Sequence, residues 1–164
     1  MIAFRHLTYQ SGEDPETVFS RLKWAVEQVD NLHELLANNS AISTNRNWVG
    51  VLDAHLMTFA LVEPREWFRA RFVQVVIRGK ITPDGGEKSE IEIQMRLGWH
   101  TLFAASCATT LTLVMLIGVA AVGTLADAGA IVPFVLLTTA YFMLIRRRMN
   151  LVERKVEALF GLEV

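Results

Sequence analysis

Residues 89–107 read SEIEIQMRLGWHTLFAASC, and two different solvents are written into them. Ile91, Ile93, Met95 and Leu97 alternate with Glu90, Glu92, Gln94 and Arg96, the period of a strand buried on one face. After Arg96 the only charge before Arg146 is Asp127, so two uncharged runs follow back to back, Leu97 to Ala126 and Ala128 to Ile145, of 30 and 18 residues. A helix rises about 1.5 Å per residue, and roughly 20 residues cross a hydrocarbon core about 30 Å thick. Both runs therefore suit a membrane helix, with Gly98, Trp99, His100 and Thr101 placed for the headgroup layer. The alternative, a buried hairpin in a soluble protein, asks a small domain to surround two helices that are apolar on every face.

The basic residues orient this hairpin. Arg146, Arg147 and Arg148 follow the second run directly, with Arg154 and Lys155 soon after, whereas Thr124 to Ala130 holds no Lys or Arg. The positive-inside rule puts the C-terminus in the cytosol, and a hairpin brings residues 1–97 to the same side. The first residues, MIAFRHLTYQSGEDPE, lack the basic flank and apolar core of a signal peptide. Cys107 is the sole cysteine, so the expectation is a reducing compartment without disulfides and a small packing role for this residue.

Composition agrees with such segregation, since 52% of the 164 residues are apolar while 20% are charged. Residues 1 to 99 hold 11 Lys/Arg against 13 Asp/Glu, a balance of −2 and too little positive charge for a nucleic-acid partner. Within this part, Ile2 to Tyr9 is a short strand. Asp14-Pro15-Glu16 opens a helix by capping, fixed φ and dipole complementarity. Val18, Leu22, Val26, Val29 and Leu36 continue it for about six turns, to Asn38-Asn39-Ser40. Trp48 to Leu52 and His55 to Val62 form a hairpin around Asp53-Ala54. Phe68 to Ile81 is a longer strand whose alternation slips near Phe72-Val73, as at a β-bulge, and Thr82-Pro83-Asp84-Gly85-Gly86 turns into the last strand.

The expected fold is α+β: an antiparallel β-meander with one packed helix, joined directly to a two-helix transmembrane hairpin and a C-terminal amphipathic helix. Its divisions are residues 1–97, 98–146 and 147–164. Met149, Val152, Val156 and Leu159 stripe the last segment, which can dock on the domain, lie in the interface or meet a partner.

No catalytic, cofactor or metal site is expected. His6, His33, His55 and His100 are scattered without metal spacing, Asp53 and His55 lack a nucleophile, and Gly85-Gly86 lacks the Lys-Ser/Thr of a phosphate loop. The side chains singled out are the membrane-orienting Arg146, Arg147 and Arg148, and a candidate helix-contact face of Ala104, Ala108, Thr109 and Thr112, where small residues and hydroxyls allow close approach. Asp127, at the connection, can cap the second helix.

Trp48-Val49-Gly50, Phe72 through Gly79-Lys80-Ile81, and Ile91-Glu92-Ile93-Gln94-Met95-Arg96 give the chain a resemblance over nearly its whole length. It resembles a group of small uncharacterised bacterial membrane proteins with an N-terminal α+β domain, a strand ending in Met-Arg, a two-helix hairpin and a basic tail. The resemblance implies no activity. The resulting expectation is a non-enzymatic, multi-pass protein of the bacterial inner membrane, an accessory or interaction subunit whose partners are the lipid bilayer and a membrane protein or a second copy. The alternative is a membrane-anchored module that binds a lipid or small apolar ligand between helix and sheet, using Phe19, Trp24, Phe68 and Phe72. A third reading makes the chain an enzyme using Asp53 and His55.

Overall fold

The computed structural model describes residues 3–32, 44–64, 73–85, 88–122 and 125–161. The elements in order are β1 (Ala3–Ser11), α1 (Pro15–Ala25), β2 (Val26–Gln28), β3 (Trp48–Asp53), β4 (Thr58–Val62), β5 (Val75–Pro83), β6 (Ser89–Leu97), α2 (Trp99–Val122) and α3 (Leu125–Phe160). The strands form one six-stranded sheet ordered β1-β6-β5-β4-β3-β2. The meander from β3 to β6 is antiparallel, as the turn signals require, and β1 closes antiparallel on β6.

β2 departs from expectation. The helical stripe through Val26 and Val29 predicts a helix running on to about residue 38, yet α1 ends at Ala25 and Val26 turns extended, at φ −107° and ψ 132°. Val26, Glu27 and Gln28 then pair in parallel with Trp48, Val49 and Gly50, so the sheet is mixed. The edge of β3 offers unpaired backbone groups, and the β-branched Val26 loses less there than in a helix. Tertiary pairing overrides a weak local preference. Residues 33–43, including Leu36, lie outside the described residues, as does the expected bulge beside Phe72.

The start of α1 follows its sequence signals. Asp14 accepts bonds from the Thr17 amide (3.0 Å) and hydroxyl (2.5 Å), with Pro15 in the first turn. Val18, Phe19 and Leu22 are the face it buries.

Alternation decides what each sheet face does. Phe59, Leu61, Val75, Ile77, Ile81, Ile91, Ile93, Met95 and Leu97 point to one side. Two helices cover them rather than one: α1, and the far half of α3 through Ile145, Met149, Val152, Val156 and Phe160. On the reverse side Leu32 packs with Val49, Val62 and Val76 in a small second cluster. Towards β1 that side turns polar, and the register sets Thr8, Glu92, Lys80 and Thr58 in one row across four strands.

Candidate functional site at the sheet and helix junction

Gly98 alone separates β6 from α2. Its N–H donates to the Gln74 carbonyl at 2.7 Å, and its own carbonyl accepts from the Leu102 amide at 3.1 Å. A Cβ at this position would fall 2.7 Å from Gln74 Oε1 and 3.1 Å from Gln74 Cβ, so any larger residue would require the Gln74 side chain to shift. One turn later Thr101 is buried; its hydroxyl accepts the Gln74 amide at 2.9 Å, and its carbonyl accepts the Tyr141 hydroxyl at 3.3 Å. The segment leading into β5, the first turn of α2 and the middle of α3 are thereby tied at one level.

α3 is one unbroken helix of 36 residues that passes through Pro133 and through residue 146. It begins at Leu125, so Asp127 lies inside its first turn rather than ahead of it as a cap. Its far half is docked on the sheet, which resolves the three placements open to the C-terminal stripe. Ion pairs hold it on both flanks. Arg5 of β1 pairs with Glu153 and donates to Asn150 Oδ1 at 3.2 Å, and Tyr9 donates to Glu157 at 3.1 Å. On the other flank Glu63, directly after β4, accepts from Arg148 and from Lys155 (2.5 Å) with its side chain only 11% exposed. At the far end the Phe160 ring meets Phe59 at 5.7 Å between centroids, and its carbonyl accepts from Arg21 at 3.2 Å. Burial, then the hydrogen bond to Glu157 and the charges of Glu157 and Glu153, push the Tyr9 hydroxyl up from its ordinary 10 to about 12.

α2 and α3 pack against one another along a narrow seam. The Thr112 hydroxyl lies 2.8 Å from that of Thr138, and Thr112 also donates to the Ala108 carbonyl at 2.8 Å. Of the candidate contact residues, Ala108 and Thr112 are half-buried, whereas Ala104 and Thr109 are exposed, Thr109 bonding back to the Ala105 carbonyl. Of the three arginines, Arg146 and Arg147 are exposed and only Arg148 is engaged by Glu63. Sequence reasoning missed Glu63 and Arg5 as docking residues, because their partners stand 85 and 148 positions away.

The side chains considered for chemistry do not converge. Asp53 Oδ1 accepts the backbone amides of His55 (3.0 Å) and Leu56 (3.2 Å), a turn bond that leaves the imidazole exposed. His6 and His100 are exposed on separate elements, and His33 lies outside the described residues. Among the described residues no three His, Cys, Asp or Glu side chains are grouped as metal ligands. Phe19 belongs to the packed core while Trp24 is 82% exposed, so the two do not line one space; Phe68 and Phe72 lie outside the described residues.

From Leu102 to Ala121 no residue of α2 is buried, and Trp99–Ala121 is long and apolar enough to cross a membrane. Comparison with protein-family models, curated proteins and solved structures finds no match to the chain.

Proposed function

We propose that this chain is a non-enzymatic integral protein of the bacterial inner membrane, crossing it twice, with the sheet domain and the far half of α3 in the cytosol, and serving as a small accessory or interaction subunit. One observation carries the double crossing: α3 ends packed on the sheet from which α2 departs. If α2 crosses the bilayer, the chain must come back, and α3 is the segment available for the return. Its residues Ala128 to Ile145 carry no charge, and these 18 residues, roughly 27 Å of helix, come close to the roughly 30 Å of hydrocarbon.

The distribution of exposed apolar side chains supports the same reading. Among the described residues, every large exposed apolar side chain apart from Trp24 and Leu56 is on α2 or α3. Large apolar side chains gathered on two neighbouring helices are what a lipid-facing or partner-facing surface requires. The subunit role draws on the absence of a linker: with β6 fused to α2 and α3 built into the sheet's core, domain and hairpin present one rigid surface. The test is extraction of the full chain from membranes, followed by native mass measurement in gentle detergent. Retention in membranes after an alkaline wash, and a particle heavier than one chain, is the expected result. Recovery in solution without detergent removes the membrane reading, and a bare monomer with no copurifying protein removes the subunit role.

A further inference from the structure

Three consecutive arginines leave the second uncharged run, and the fold divides them. Arg148 is clasped by Glu63. Arg146 and Arg147 are exposed and have no carboxylate partner among the described residues. Just before them, Ile145 is already packed in the core, and four residues earlier Tyr141 reaches the Thr101 carbonyl. The same level of α2 carries the exposed Trp99, whose ring lies 5.4 Å from Phe103, an aromatic placed where interfacial tryptophans collect.

We infer that Arg146 and Arg147 form a contact for the headgroups of anionic phospholipids, and that Arg148 takes no part in it. The inference rests on the membrane reading above. Successive residues on a helix point about 100° apart and do not face each other, so Arg146 and Arg147 cannot close on a single phosphate. A leaflet, by contrast, offers headgroups all around the helix. Two unneutralised positive charges beside an exposed aromatic at the end of an apolar run complement a negatively charged surface. Glu63 supplies the contrast, because it holds the Arg148 side chain on the domain.

The test uses the full chain reconstituted in vesicles of phosphatidylcholine, with spin-labelled phosphatidylglycerol or phosphatidylcholine as reporters of the lipids touching the protein. The wild type is expected to favour phosphatidylglycerol, with the preference shrinking in about 1 M salt, where screening shortens to roughly 3 Å. In R146Q/R147Q that preference falls by about two- to fivefold for each arginine lost. R148Q keeps the lipid preference and instead lowers the melting temperature of the domain. A double variant with the wild-type preference, or an equal loss of preference in R148Q, overturns the assignment. A chain that fails to float with vesicles at all sinks the membrane reading together with it, so the two failures are told apart.

Discussion

Phe160→Ala removes the last anchor of α3 on the sheet. The ring is 3% exposed and lies tilted at 44° on Phe59, so truncation leaves a cavity where Val156, Phe59 and α1 meet it. Burial and cavity terms for a core phenylalanine amount to about 3–5 kcal/mol, including the roughly 0.5–1.5 kcal/mol of a good aromatic pair. The hydrogen bond from Arg21 goes to the backbone carbonyl and survives, so the loss is one of packing. Against a stability of about 5–15 kcal/mol, that is enough to loosen the far half of α3 while the protein stays folded. Amide exchange on the full chain in micelles reads this directly: residues 149 to 160 should open roughly a hundred- to a few-thousand-fold more often. The amides of α2, whose packing does not involve Phe160, should not change. Replacing the exposed Arg154 by Ala serves as the control. Exchange in 149–160 that stays within threefold of wild type in Phe160→Ala would refute the docking of α3 on the sheet.

The ion pairs rank differently. Glu63→Ala should cost about 2–3 kcal/mol because it strands Arg148 against the domain, and a double-mutant cycle should couple Glu63 to Arg148 more strongly than to Lys155, which is 59% exposed and falls within about 1 kcal/mol. Gly79→Ala should destabilise the sheet by about 1–3 kcal/mol in thermal melts, since its Cβ would meet the Glu92 carbonyl at 2.6 Å and the Phe59 ring, neither of which can step aside. Tyr9 should ionise near 12 in the folded protein, read as the tyrosinate absorbance lost in Tyr9→Phe. Because the folded state holds this proton more tightly than the unfolded chain, the stability linked to it is complete below about pH 10 and disappears as pH rises through about 12. Titration of Tyr9 at its ordinary 10 would mean that it is neither buried under α3 nor bonded to Glu157.

Local signals carried much of the fold. Asp14-Pro15 marks the start of α1, the alternation of residues 89–97 is β6 with its apolar parity inward, and Gly98 joins strand to helix without a linker. These are legible because each depends on neighbours within a few positions. The hairpin of β3 and β4 was legible for the same reason, although its turn takes four residues, Ala54 to Met57, and places Met57 at φ 49°.

What the sequence determined alone was therefore the periodicity of each segment and the solvent it tolerates, including the long uncharged stretch of α2. Only the tertiary structure decided where the surplus surfaces go. Val26 fits a helical stripe as well as a strand, and the unpaired edge of β3 settled the matter in favour of β2. The stripe Met149, Val152, Val156 had three hosts open to it, and the bare face of the sheet took it. Glu63 and Arg148 are unremarkable charges until 85 positions of chain fold them together. Hydrophobic periodicity states that a face must be buried, but not against what, because burial is non-directional and any apolar surface of matching shape can satisfy it.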